Sequence, residues 1–393
     1  MSFWSGSDSG GQDDVLEFGR DRSARRRRRT RLLLGCVVLA AVLLAVIKMT
    51  DRQAPGARHQ PAEGNNLASR PPPVRVIPVG HHLLGVKAGW QLFARGPDDL
   101  LRVEFAEGRI IWTYVPPLNA SSPVVAFVVG AREAIIQPGG IAPGYVVPDG
   151  GQARALRGPL SAGGPVVPGP RGTQAVWALT GPVSEPKLSL ITLSGRRAGP
   201  SITVPPGSPQ VLSTAVSDGR GDVLLTTEND ADFDAGPRWD HFEPGTIIAV
   251  GSATWLTEVC DTGQPCHYVV INAVNGARRI LPAVATQSPY YFTWPPAGVI
   301  APDGRTAAVA GYGSSGATTV HLINLRTGVA EDLGFPLAES GVSARGTMAW
   351  SPDGRWLFAA TASGKILAID PRTGRARSLG ITLPKVTQLA IRT

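Results

Sequence analysis

The sequence is poor in the residues that most often carry chemistry. Its 393 residues include three cysteines, three methionines and six histidines. Three cysteines exclude a small disulfide-stapled scaffold and a four-cysteine zinc site. His59, His81, His82, His241, His267 and His321 form no metal-ligand spacing such as HExxH. No GxSxG elbow, P-loop or dinucleotide fingerprint occurs. No catalytic residue and no cofactor motif is therefore legible, and the expectation is a protein that is not an enzyme. An active site assembled from separate loops stays open as the alternative. Lysine is nearly absent, five against 33 arginines, an association seen with GC-rich bacterial genomes. Uncharged apolar runs of membrane length are also scarce, and only one approaches it.

Turn formers are abundant. Forty-seven glycines and thirty-five prolines punctuate the chain into short segments and leave little room for long helices. A hydrophobic content of 43% suffices for a large core, and the net charge is +8. Residues 1–50 hold nine basic and five acidic residues, so half the excess lies there. The remainder holds 29 and 25 and shows no basic run. A nucleic-acid partner is not expected, because it would need a basic face on the folded domain.

The chain divides into four stretches. Residues 1–31 form a polar, disordered cytoplasmic tail ending in an arginine cluster, Arg20 to Arg31. Leu32 to Ile47, LLLGCVVLAAVLLAVI, carries no charge. As a helix it reaches about 24 Å, and Arg31 and Lys48 can snorkel to complete a span over 32–48. The arginines place the N-terminus in the cytoplasm and the rest outside. Three rivals fit less well. A cleaved signal peptide wants small residues after the run, where Lys48 to Arg52 stand. A lipoprotein wants the apolar run before Cys36, and the twin-arginine match at Arg28-Arg29 is loose. Residues 49–73 form a Pro/Gly-rich linker, and 74–393 hold the folded domain.

That domain repeats. APDGRTAAVAGYGSSGATTVHLINLRTGVAEDL runs from Ala301 to Leu333, and SPDGRWLFAATASGKILAIDPRTGRARSL from Ser351 to Leu379. Asp303 and Asp353 are 50 residues apart, Thr327 and Thr373 are 46 apart. A period of that size with four short strands per unit predicts a β-propeller. Asp353-Gly354 is expected to occupy both positive-φ positions of a type I′ turn. Ile366 to Ile369 is apolar without alternation, as suits a strand buried on both faces. Weaker units cover 89–115, 123–158, the stretch from Thr173, and those opening at Val211 and Thr246. VTQLAIR, Val386 to Arg392, is expected to supply the innermost strand that the first unit lacks. The expectation is all-β, with seven blades; merging the fourth and fifth units would give six.

SPDGRWLFAA, with looser copies APDGRTAAVA and SDGRGDVLLTT, resembles the repeat of TolB-like and WD-repeat-like bacterial β-propellers. The resemblance implies a propeller whose Asp-Gly turn joins the innermost strand to the next. It implies binding of other macromolecules more often than catalysis.

Four local features remain. Cys260 and Cys266 flank DTGQP at the mouth of one hairpin, a disulfide position if the compartment is oxidising. Two free thiols, or zinc with His267, are the alternatives. Asp230, Asp232 and Asp234 have the 1-3-5 spacing of a calcium loop, although Gly236 comes late and His241 stands where a bidentate Glu belongs. A solvated acidic loop is the other reading. Trp239, His241, Tyr290, Tyr291 and Trp294 could line a binding mouth or simply pack blades. Arg220-Gly221-Asp222 spells an adhesion tripeptide but sits in a turn signal.

The sequence thus leads to a single-pass plasma-membrane protein displaying an extracytoplasmic propeller that binds an unknown protein or ligand. An enzyme at the propeller mouth and a transmembrane signalling device are the alternatives.

Overall fold

The computed structural model describes residues 74–80, 83–115, 124–138, 144–157, 166–170, 175–180, 187–204, 216–217, 221–226, 231–235, 239–244, 246–259, 266–282, 298–312, 317–338, 346–379, 383 and 385–393. All belong to Ser69–Thr393, one of the two compact units of the chain. The expected tail, apolar span and linker lie outside the described residues. Among the described residues no helix is long and apolar enough to cross a membrane.

The described elements are strands, apart from one short 3-10 turn at Leu83–Gly85. They form successive antiparallel meanders. The first comprises β1 (Val74–Pro78), β2 (Gln91–Arg95), β3 (Asp99–Glu104) and β4 (Arg109–Tyr114). Next come β5 (Val124–Val129), β6 (Glu133–Pro138), β7 (Tyr145–Pro148) and β8 (Arg154–Ala155). Then follow β9 (Val166–Pro168), β10 (Ala175–Thr180), β11 (Lys187–Thr192) and β12 (Arg197–Thr203). After these come β13 (Val216–Ser217), β14 (Val223–Thr226), β15 (Ala231–Ala235) and β16 (Trp239–Pro244). The next meander holds β17 (Thr246–Val250), β18 (Thr254–Val259), β19 (His267–Asn272) and β20 (Arg278–Ile280). Another holds β21 (Gly298–Ile300), β22 (Thr306–Tyr312), β23 (Thr318–Asn324) and β24 (Ala330–Pro336). The last holds β25 (Met348–Trp350), β26 (Leu357–Ala360), β27 (Ile366–Asp370) and β28 (Arg375–Ser378), and β29 (Gln388–Arg392) ends the chain. The architecture is all-β and propeller-like. The meanders from β17 and from β21 share one eight-stranded sheet, because β17 and β21 pair in parallel.

β29 does not extend the last meander. It pairs antiparallel with β2, Gln91 opposite Arg392 and Arg95 opposite Gln388. The first sheet is therefore β1-β4-β3-β2-β29. VTQLAIR fills the innermost place, as its length suggested. β1 was not foreseen: VRVIP adds an outermost fifth strand that covers the edge of β4.

The turn chemistry corrects one expectation. Gly354 and Gly304 have φ of 67°, but neither aspartate before them is left-handed. The turn is longer than type I′. Ser351 N–H donates to Trp356 O at 2.8 Å and Gly354 N–H to Ser351 O at 2.9 Å. Asp353 Oδ1 accepts from Ser351 Oγ at 2.6 Å and from Arg355 N–H at 3.1 Å. The aspartate serves as an acceptor that ties the turn, and only the glycine needs the left-handed region.

Each apolar core lies between two consecutive meanders. Ile366 and Ala368 face one core, with Phe358, Trp90, Phe105 and Leu389. Leu367 and Ile369 face the other, with Val320, Leu322 and Trp350. The two-residue period of a strand thus serves both neighbours, which is why the strand lacks polar alternation. Similar cores lie between β2–β4 and β5–β8, between β5–β8 and β9–β12, and on around the domain. Two tryptophans stitch neighbours together: Trp350 Nε1 donates to Val299 O at 3.0 Å, and Trp177 Nε1 to Gly221 O at 2.7 Å.

Candidate functional site

Antiparallel meanders have two distinct ends. First-to-second and third-to-fourth strand turns lie at one, here the turn end. Second-to-third turns and the crossovers between meanders lie at the other, the crossover end.

At the crossover end, the sheet closed by β29 buries charge. Arg95 ends β2, and Arg95 Nε donates to Gln388 Oε1 at 2.8 Å. Arg95 Nη2 donates to Thr387 Oγ1 at 2.9 Å. Thr387 N–H returns a 2.8 Å bond to Arg95 O. Burial pulls the Arg95 guanidinium down to about 10, against the nearby Asp99 charge. Asp99 opens β3 and is 3% exposed. Burial first, then the Asp98 charge, pushes its carboxyl up to about 6, against the Gly96 N–H and Arg95. Among the described residues Asp99 Oδ1 has no hydrogen-bond partner. Gly96 leaves room for it: a Cβ there would sit 2.0 Å from Asp99 Oδ1 and 2.8 Å from Lys385 O.

A second buried carboxylate lies at the same kind of position. Glu258 is the penultimate residue of β18, opposite Tyr268 on β19. Burial raises the pKa of Glu258, and its Oε1 has no hydrogen-bond partner among the described residues. Burial, then the Glu258 charge, pushes the Tyr268 hydroxyl well above its ordinary value. Cys266, two residues before Tyr268, is buried. This end can hold a proton or a cationic group in low-dielectric surroundings.

The sequence-derived candidates fare unevenly. Cys260, Asp230, Tyr290, Tyr291 and Trp294 lie outside the described residues. Asp232 and Asp234 lie on β15, so their positions share one face of a strand. Trp239 and His241 lie on β16, opposite Ala235 and Phe233. Among the described residues no three His, Cys, Asp or Glu side chains converge as metal ligands. Arg95, Asp99 and Glu258 escaped the sequence reading. The available signal was a charge at the end of an apolar strand, in QLFAR and TWLTEV.

At the turn end, an ion network joins the first sheet to the second. Arg392 holds Asp149, between β7 and β8, by bonds of 2.9 and 2.7 Å. Arg102 Nη1 lies 2.9 Å from the same carboxylate. Arg102 Nε is 3.0 Å from Glu104 Oε1, an ion pair without hydrogen-bond alignment. Gln91 and Arg109 also bond Glu104.

No protein-family model matches the chain, and no curated protein matches it either. Solved structures similar to it include a periplasmic gluconolactonase from Pseudomonas aeruginosa, at 15% identity and TM-score 0.47 over 77% of this chain and 99% of that one. TolB from Acinetobacter baumannii aligns at 14% identity and TM-score 0.39, over 77% and 83%. The Pan2 WD40 domain of Neurospora crassa aligns at 12% and 0.46, over 70% and 84%. At such identities and scores none of them bears on what this chain does.

Proposed function

We propose that this chain is a single-pass membrane protein that presents a seven-bladed β-propeller outside the cytoplasm as a binding module for a protein or ligand. The observation that carries the reading is the closure of the domain on itself. β29 completes the sheet that begins at Val74, directly after the Pro-rich stretch. In this reading residues 1–73, with the arginine cluster and the apolar run, serve as anchor and tether. First strands lie beside first strands along most of the succession: β29 by β5, β5 by β9, β9 by β13, β17 by β21, β21 by β25 and β25 by β29. Counting each meander as a blade gives seven, with β17–β20 and β21–β24 as two of them. In this reading Cys260 and Cys266 form a disulfide, as an oxidising compartment permits. A periplasm-active reporter fused after Thr393 should be active, whereas a reporter active only in the cytoplasm would overturn the topology. Cross-linked affinity capture of the chain from native membranes should then return one stoichiometric partner or ligand.

A second reading, an enzyme, is favoured by one observation. Asp99 and Glu258 are buried carboxyls with raised proton affinity at the crossover end, as acid–base catalysts often are. Turnover lost in Asp99→Asn, with the fold intact, would support it. Retention of all turnover would discard Asp99 as a catalyst.

A further inference from the structure

The sequence shows no basic run in the domain, yet the fold gathers scattered arginines. Three neighbouring meanders, β17–β20, β21–β24 and β25–β28, end in arginine-bearing turns. The third-to-fourth strand turns carry Arg278, Arg326, Arg372 and Arg375, and the first-to-second turns carry Arg305 and Arg355, all exposed. These turns abut. Arg279 donates to Arg326 O at 3.1 Å and also bonds Leu325 O. A Cβ on Gly328 would lie 2.8 Å from Pro282 O, and one on Gly374 3.5 Å from Glu331 Oε1. A Cβ on Gly304 would lie 3.5 Å from Thr254 Oγ1, and one on Gly354 3.9 Å from Pro302 Cδ.

The acidic residues of these turns are mostly engaged with their own backbone. Asp303 Oδ1 accepts from Arg305 N–H at 2.9 Å, Asp353 Oδ1 from Arg355 N–H at 3.1 Å, and Asp370 Oδ1 from Arg372 N–H at 3.0 Å. Arg372 Nε also donates to Asp370 Oδ1 at 3.4 Å, and the Arg372 side chain is 84% exposed. A second observation is apolar. The exposed large hydrophobics among the described residues are Val76, Val274, Ile280 and Val329. Three of the four belong to these turns and the strand beside them. Val274 is 71% and Val329 67% exposed.

We propose that the turn ends of these three meanders dock on the headgroups of an anionic lipid bilayer. Isolated valines at turn tips between arginines fit an interface where apolar side chains enter the acyl boundary and guanidinium groups meet phosphate. A protein partner would call for a contiguous apolar centre with aromatic anchors, and none is described at these turns. The proposal rests on the membrane-tethered reading for the bilayer the domain meets, and on the turn geometry for the surface. Val74 lies at the crossover end, opposite Thr113. The preceding 25 residues reach about 85 Å when extended, enough for the turn end to face the bilayer.

The test is hydrogen exchange of the full chain in nanodiscs of phosphatidylcholine alone or with phosphatidylglycerol at about one lipid in three. Amides of residues 272–277, 325–329 and 371–375 should exchange several-fold more slowly in the anionic discs only. The protection should vanish in Arg326→Glu/Arg372→Glu and in molar salt. A chain inserted in the disc with no lipid-dependent protection would overturn docking while leaving the span intact. Protection without insertion would support docking and refute the span. Protection by a DNA duplex but not by anionic lipid would overturn the lipid assignment.

Discussion

Arg392, the penultimate residue, grips Asp149 of the neighbouring sheet through two hydrogen bonds of 2.9 and 2.7 Å. The Arg392 guanidinium also lies 4.7 Å from the Phe93 ring centroid and donates to Gln91 Oε1 at 3.1 Å. One side chain of β29 thus ties β29 to β2 and the first sheet to the second.

Removing that clamp should weaken closure measurably. Arg392→Ala is expected to cost about 1.5–3 kcal/mol in denaturant unfolding, the range for hydrogen bonds to charged groups. A double-mutant cycle with Asp149→Ala should return most of that as coupling. Coupling near zero would mean that solvent already screens the pair.

Asp99 makes stability depend on pH in an uncommon direction. Its carboxyl, pushed up to about 6, binds its proton more tightly in the folded chain than in the unfolded one. Its stabilising protonation is complete below about pH 4, is lost as pH rises toward about 6, and stays lost above that. Asp99→Asn should therefore stabilise the domain above pH 6 by up to about 3 kcal/mol. That gain should fade by about pH 4. Thermal melts of both proteins across that range decide it, and a pH-independent difference would refute the carboxyl as the source.

Gly96 is expected to tolerate substitution worse than Gly150. Gly150 has φ of 66° and open space around it, so alanine there costs only backbone strain, about 1–2 kcal/mol. Alanine at Gly96 meets Asp99 Oδ1 at 2.0 Å and Lys385 O at 2.8 Å. Gly96→Ala should be the more damaging in parallel melts. Adding Asp99→Ala should recover part of the loss, and no recovery would assign the damage to the Lys385 backbone.

The repeat, its strands and the closing strand were legible because turn residues and two-faced apolar runs are local signals. PDGR and RTG mark their turns without tertiary help. The exact form of the Asp-Gly turn was not legible, since Ser351 and Trp356 complete it by hydrogen bonds that spacing alone does not specify. β1 was missed because VRVIP follows a proline run and precedes two histidines, with no repeat partner. Arg95, Asp99 and Glu258 were missed for a different reason. Each is an ordinary charged residue until β29 or β19 covers it. The arginine face was invisible for the same reason: residues some twenty to fifty apart meet only once the meanders stand side by side.

The closure also has an apolar half, and the two halves can be weighed. Phe358 on β26 packs against Phe105 at 5.4 Å and Trp90 at 5.9 Å between ring centroids. Trp90 and Phe105 are themselves 4.6 Å apart. All three are buried in the core between the last meander and the sheet that β29 completes. Phe358→Ala leaves a void in a closely packed interface and should cost about 3–5 kcal/mol. That exceeds the value expected for Arg392→Ala, which would make burial the main force holding the ends together and the ion network the means of setting register. Phe358→Leu should restore more than half of the loss, because it refills most of the volume. Urea unfolding of the three variants ranks them. An Arg392 variant weaker than Phe358→Ala would reverse the assignment and make the closure chiefly electrostatic.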